Sequence, residues 1–472
     1  MAAPTDDLPA APGPTPMPLI GRRGNELQFY RDMIGYMLAL YRKYGTIATL
    51  VNGEPHWVFV FGPEHTRYVL ANADLFHARI LTIPVPADSA LQHITTGLLN
   101  MNGTQHQKHR RVILPALQRQ QVEQYRDDIV AITTRTLERW RLGDQIDMAQ
   151  EMQQLTMQAA NRALFGLDSN VATNSLGEMI RRWLQLFASA PVNLLPINLP
   201  GTPYHRLLKL SEHLEQAIVE TIRRKRGMVG DQHDVLARLI QAHELDGTVM
   251  SATELIGQAN LLFVAGHETA ANALTWTLFL LSQHPAVLAD LVDELDGILT
   301  DDAPRTEQLE QLPLLDSVVK ESLRLLPPVP YVERISTAPV KIGAYAFPKG
   351  TYVSLSHYVT HHMAEIYPEP NKFLPDRWSA IDPSPYEYLP FGAGPHSCIG
   401  AAFAIMEIKL VLSLIIPKFR FLIPPNTRID RHLRVTLSPK HGMPMHVVFQ
   451  DRKFTRSTVR GNIHEMVDLA MA

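Results

Sequence analysis

The chain has 472 residues, and 44 Lys+Arg against 47 Asp+Glu leave a formal net charge of −3, so no strong positive field is available to hold a polyanion and a nucleic-acid partner is not expected. With 46% apolar and 19% charged residues the sequence excludes disorder and fibre, and a chain this long can bury roughly three quarters of its unfolded surface and still enclose a cavity. Its one cysteine, Cys398, excludes an internal disulfide framework and any cluster of thiolate ligands.

In chain order, residues 1–19 form a Pro/Ala-rich arm with Asp6 and Asp7. The arm lacks the basic start and apolar run of a signal peptide or anchor and is expected to be flexible. Helical spacing follows over 25–44. Two β-rich runs, 46–51 and 56–61, flank Asn52-Gly53, a hairpin signal. A helix is predicted over 64–71, then a mobile, non-polar loop over 76–101, marked by Pro84, Pro86 and Gly97.

Most of 103–283 reads as helix, with breaks near Gly143, Gly166, 191–203, 223–234 and Gly247. The weakly charged run 255–281 is long enough to cross a bilayer. His267 and Glu268 at its centre, with Gln258, Asn260 and Asn272 nearby, argue instead for a helix buried in protein, weakened at Gly266. Pro285 and Pro313 open further helices, the second stopping at Leu326 before Pro327-Pro328. Short strands and turns are predicted over 329–390, a helix from 399 to about 416, and short β segments to Phe449. The expectation is a mainly α fold with small β-sheets: one domain over 20–450, and a C-terminal tail, 451–472, with no assigned role.

Four constellations could carry chemistry. Cys398 lies in Phe391-Gly-Ala-Gly-Pro-His-Ser-Cys-Ile-Gly400 just before an apolar helix, where free N–H groups and the helix dipole favour thiolate. The run Ala265-Gly-His-Glu-Thr269 puts an acid and a hydroxyl inside a buried helix, which is costly unless both are satisfied or used. Glu321 and Arg324 stand i, i+3 apart, a spacing that alone marks an ordinary salt bridge, with Arg377-Trp378 further on. His106 and Arg110 share one face of a predicted helix, either as a solvated basic patch or as an anion site.

Together, and in this order, the four motifs resemble those of the cytochrome P-450 monooxygenases, across roughly residues 18–449. Phe391-x-x-Gly394-x-His396-x-Cys398-x-Gly400 is similar to the family's haem-binding loop, with His396 where Arg is more usual. The resemblance implies a cytochrome P-450 fold with haem b between the long central helix and the cysteine-loop helix, and Cys398 as the iron ligand. His106, Arg110, Arg334 and His396 would bind the haem propionates. Glu268 and Thr269 would form the oxygen-activating pair that delivers protons. Glu321, Arg324 and Arg377 would lock the cysteine region without touching the reaction.

The implied activity is insertion of one oxygen atom from O2 into a lipophilic small molecule. Electrons would come from NAD(P)H through a separate ferredoxin or flavodoxin, steered to Lys108, Arg111, Arg119 and Lys409. Substrate contacts are expected from 76–101, 261–265 and 329–333. A cytoplasmic monomer without a membrane span is expected. A haem-thiolate peroxygenase or isomerase would not need the acid–Thr pair, and a haem sensor or carrier would not turn over. The sequence has no His-Glu-x-x-His, no Gly-x-Ser-x-Gly and no Gly-Lys-Ser/Thr phosphate loop.

Overall fold

Helix boundaries follow local chemistry in this computed structural model, which describes residues 9–79, 83–166, 171–227, 234–245, 250–299 and 303–469. The predicted break at Gly247, and the middle of the one over 223–234, lie outside the described residues. Ser251 and Glu254 exchange hydrogen bonds in a capping box that opens the Ala252–Ala265 helix. Pro285 and Pro313 occupy the first turns of the Pro285–Ile298 and Pro313–Leu325 helices, and the latter is capped by Leu326 as the two prolines require.

The single helix expected over 255–281 is instead two, Ala252–Ala265 and Glu268–Gln283, interrupted at Gly266-His267. The reason is local. His267 Nδ1 pairs with Phe263 O at 2.7 Å, while the His267 carbonyl accepts from Thr156 Oγ1 at 3.1 Å. A Cβ on Gly266 would lie 2.6 Å from the end of the Leu164 side chain on the Met148–Phe165 helix, which would have to shift to admit it. Among the described residues no helix is long and apolar enough to cross a membrane.

The segment 76–101, expected as a loop, contains a strand (Phe76–Ala78), a short helix (Ala90–Thr95) and a 3-10 turn (Leu98–Asn100). Buried amides organise it. Asn260 Nδ2 donates to Ile94 O at 2.8 Å, and Gln258 Oε1 accepts from Leu98 N–H at 3.2 Å. Within the arm expected to be flexible, residues 9–19 are tied down: Ala11 is buried, and the Pro12 and Pro14 carbonyls each accept a backbone N–H, from Thr49 and Asn52, at 2.8 Å.

The largest sheet runs, in spatial order, Ile47–Thr49, Trp57–Val60, Tyr352–Ser356, Tyr331–Ser336, Phe76–Ala78. Its first two strands form the predicted hairpin, antiparallel with Ile47 opposite Val60. Trp57–Val60 then pairs in parallel with Tyr352–Ser356, and Trp57 Nε1 donates to Ser354 Oγ at 2.8 Å, 297 residues further along the chain. Of the C-terminal tail, Val459–Arg460 pairs with Thr427–Arg428, and Ile463, Met466 and Val467 are buried. The Arg431 guanidinium holds Asp32 at 2.7 Å and Glu465 at 3.0 Å, joining the two ends of the chain.

Candidate active site

Backbone hydrogen bonds shape the loop that carries Cys398. The Cys398 N–H donates to Phe391 O at 2.7 Å and the Ser397 N–H to Gly394 O at 3.0 Å, before Gly400 caps the Ala401–Ile415 helix. Gly394 has φ +73°, and a Cβ there would lie 2.6 Å from the Leu70 carbonyl oxygen, so a larger residue would both strain the turn and displace the Pro63–Ala71 helix. Cys398 retains accessible surface, yet protein surrounds it closely enough for burial to push its thiol above the ordinary value. That combination marks a side chain facing an internal space. The Gly400 N–H and the Arg110 guanidinium pull the thiol the other way, as expected of a helix start, but burial outweighs them. The expectation that the helix start lowers this thiol is therefore corrected: burial sets the balance.

Four basic side chains converge on this loop. From the Gly103–Ile113 helix, Arg110 donates to Ser397 O at 2.8 Å and to Ser397 Oγ at 3.2 Å, gripping the residue before the cysteine. The His106 and His396 rings lie 3.9 Å apart, tilted by 33°. Arg334 enters from the Tyr331–Ser336 strand, buried, and burial pushes its pKa down to about 10. His396 is pushed down to about 3, first by burial and then by His106, Arg334, Arg110 and His77. His106 is lowered by burial, then by Arg110 and Arg334. Among the described residues no carboxylate acts on any of the four.

Glu268 and Thr269 form a second group at the helix interruption. Thr269 Oγ1 donates to Ala265 O at 3.2 Å, and Ala265 is exposed although its helix runs through the interior, so this turn also faces an internal space. Glu268 Oε1 accepts from Thr436 Oγ1 at 2.7 Å, and that hydroxyl accepts from Asn272 Nδ2 at 3.0 Å. No hydrogen bond joins this pair to the cysteine loop among the described residues. Sequence reasoning missed Thr436, which sits 168 residues from Glu268 in no recognisable motif.

The third constellation is a closed, buried network. Glu321 accepts from Arg324 Nε and Nη2 at 2.9 and 2.8 Å, Arg377 Nε at 2.9 Å, Trp378 Nε1 at 3.0 Å and Leu374 N–H at 3.1 Å. Its reach to the cysteine loop passes through His361, also unforeseen. His361 Nδ1 bonds Arg324 O at 3.2 Å and its Nε2 accepts from the Leu389 N–H at 2.7 Å. That arrangement demands a neutral ring, and burial holds the His361 pKa well below its ordinary value.

The expected basic docking patch is smaller than its sequence suggested. Lys409 is drawn to Asp316 at 2.7 Å, and Arg119 is paired with Glu123 and Glu310, while Lys108 and Arg111 are exposed. Within 329–333, Glu333 turns toward the sheet, accepting from Ser354 Oγ at 3.2 Å, and burial raises it to about 7.

A family model described as Cytochrome P450 matches residues 11–444. The cyclooctat-9-en-7-ol 5-monooxygenase of Streptomyces melanosporofaciens is 29% identical over 430 residues, which cover 89% of this chain and 90% of its own length. The cytokinin hydroxylase of Arabidopsis thaliana is 31% identical over 389 residues, 77% of this chain and 74% of its length. A solved structure of retinoic acid bound cyanobacterial CYP120A1 superposes with a TM-score of 0.81 at 25% identity, over 94% of this chain and 100% of that one.

Proposed function

Because the chain belongs to the cytochrome P450 family and is a haem-thiolate monooxygenase, we propose that Cys398 is the axial ligand of a haem b whose propionates lie among His106, Arg110, Arg334 and His396. One observation carries this reading: His106, Arg110, Arg334 and His396 gather beside the cysteine loop, and among the described residues no carboxylate acts on them. Two guanidiniums and two imidazole donors so placed lack anionic acceptors, and a flat apolar cofactor with two carboxylates would supply them. When bound, the haem supplies activation of O2 and transfer of one oxygen atom to an unactivated bond, which an axial thiolate favours.

The protein's own groups divide the remaining work. Arg110 holds the cysteine loop through Ser397 and offers its charge to a propionate, so loop and cofactor are fixed by one side chain. Thr269 Oγ1 can turn from Ala265 O to donate its proton into the internal space. Glu268, steadied at Oε1 by Thr436, has Oε2 without a protein partner among the described residues and exchanges protons with water. The segment from Ile83 to Met101 and the turn at Ala265 line the substrate side. The relatives named for cyclooctatenol and retinoic acid support a lipophilic substrate. Electrons come from NAD(P)H through a ferredoxin or flavodoxin, which meets Lys108 and Arg111, and the enzyme acts as a cytoplasmic monomer.

The test is spectroscopic. The reduced protein under CO should show the strongly red-shifted Soret band of thiolate ligation, and Cys398→Ser should abolish it. An imidazole-type spectrum in the native protein overturns the assignment.

A further inference from the structure

The segment 83–101 lines two cavities: Ile83, Pro84 and Val85 border a space of about 450 Å³, and Gln92, Thr95, Thr96 and Gly97 one of about 200 Å³. It is held from two sides by attachments of different kinds. Against the Ala252–Ala265 helix the contacts are close backbone and neutral amides: a Cβ on Gly257 would lie 2.0 Å from the Thr96 carbonyl oxygen, and Asn260 and Gln258 bond Ile94 O and the Leu98 N–H. Against the Pro203–Arg226 helix the attachments come through side chains. The Tyr204 hydroxyl donates to Pro84 O at 2.7 Å, and about three helical turns further on Glu215 Oε1 stands 2.6 Å from His93 Nδ1.

His93 also reaches Asp88, whose Oδ1 lies 3.2 Å from Nε2 and whose backbone N–H is held by Gln92 Oε1 at 2.7 Å. Both ring nitrogens therefore face carboxylate oxygens, which only accept, so the ring satisfies both only as an imidazolium. Glu215 is the better shielded of the two partners, at 23% side-chain exposure against 97% for Asp88. Burial pulls the His93 pKa down, yet the hydrogen bonds and charges of Glu215 and Asp88 outweigh it and hold the pKa above the ordinary histidine value. Among the described residues no other charged group acts on the ring. Glu254, the titratable residue of the Ala252–Ala265 helix, is engaged by Ser251, Gln105 and His109; on the Pro203–Arg226 helix Glu212 pairs with Lys209, and His213 is exposed.

We propose that His93 is a proton-operated latch between the Pro203–Arg226 helix and the cavity-lining segment: charged, it ties the two together, and neutral, it lets them part and ligands pass. The inference rests on the reading of this cavity as the substrate side and adds its regulation. A neutral ring keeps one N–H donor, gives up its charge, and turns a lone pair toward the second carboxylate. The latch is thus closed below the ordinary histidine value and opens as the pH rises through the raised one. The amide contacts to Asn260 and Gln258 do not titrate, and Tyr204, raised by burial, keeps its proton, so His93 alone of these attachments responds.

Hydrogen exchange of the haem-loaded protein at pH about 6 and about 9, corrected for the intrinsic rate and read by mass spectrometry, tests the latch. Peptides covering 84–96 should lose protection about three- to fivefold at the higher pH, the size of a partly exposed ion pair, while peptides within 252–265 stay within about twofold. His93→Gln should show the low protection at both pH values, and Glu215→Gln should reproduce it. Stopped-flow mixing of the ferrous protein with tert-butyl isocyanide, a haem ligand uncharged throughout this range, should show association about three- to fivefold faster at the higher pH, and no such rise in His93→Gln. Carbon monoxide, small enough to enter with the latch closed, should bind at one rate throughout. The CO spectrum of every variant reports on the cofactor assignment separately, and hydrogen exchange does not depend on it. Protection or isocyanide association that ignores pH in the native protein, an equal rise for carbon monoxide, or a pH response that survives in His93→Gln would each overturn the proposal.

Discussion

Replacing Glu321 with alanine removes the acceptor of five hydrogen bonds, all between 2.8 and 3.1 Å. Arg324 at 0% exposure and Arg377 at 9% would remain buried with carbonyl oxygens as their described acceptors. Those acceptors are His361, Pro370 and Lys372 for the first, and Pro368 and Glu369 for the second. Breaking a buried ion pair from one side costs about 3–5 kcal/mol. The stranded Trp378 and Leu374 donors add about 1 kcal/mol each, which the carbonyls partly offset, so we expect a loss of about 4–6 kcal/mol. That is a large share of the ~5–15 kcal/mol that holds a folded protein together.

Glu321→Gln keeps the shape and one acceptor oxygen and should cost roughly half as much. Urea unfolding of the haem-loaded protein, followed in parallel by far-ultraviolet circular dichroism and by the Soret band, measures both losses. Because His361 carries the network to Leu389, nine residues before Cys398, the Soret signal should collapse at lower urea than the helical signal in the alanine variant. A loss under about 1 kcal/mol, or equal losses for Ala and Gln, would refute the account of a charge-compensating network.

Two further outcomes are expected. Thr269→Ala should leave haem and substrate binding intact while electrons are diverted to peroxide, and Thr436→Val, which frees Glu268 from its anchor, should lower coupling in the same way; product formed per NAD(P)H consumed checks both, and unchanged coupling removes the residue from the proton path. Burial pushes His357 down to about 4 and His362 to about 3, so the unfolded chain takes up protons that the folded one refuses once the pH falls below the ordinary histidine value. Stability should therefore fall by about 3 kcal/mol between pH 6.5 and 5 from these two rings and level off only below their folded values, with urea midpoints flattened across that window in a His357→Gln/His362→Gln variant.

What the sequence revealed depended on the range of the interaction. The cysteine loop, the His106–Arg110 face and the Glu321–Arg324 pair are local spacings, and each stands where those spacings place it. The helix interruption was half legible: Gly266 marked a weak point, but the Thr156 hydroxyl that holds the His267 carbonyl comes from another helix 111 residues away. The segment 76–101 looked like loop because its order comes from Gln258 and Asn260, amides that in sequence only seemed to interrupt an apolar run. For the Cys398 thiol, local reasoning had the correct contributors and the wrong balance, since burial is a property of everything packed around it. Thr436 and His361 belong to no motif and become visible only when distant segments meet.

The parallel pairing of Trp57–Val60 with Tyr352–Ser356 also has a consequence for how the protein is made. Translation proceeds at roughly 5–20 residues per second. The 297 residues between Trp57 and Ser354 therefore take about 15–60 s to appear. During that time the hairpin at 47–60 has been synthesised but one of its edges has no partner, and an open, apolar strand edge is a template for the wrong neighbour. The sheet cannot close co-translationally in chain order. Its completion waits on late residues, so the nascent chain depends on something to shield that edge, and slowing elongation downstream of residue 60 should raise aggregation before it affects the finished enzyme.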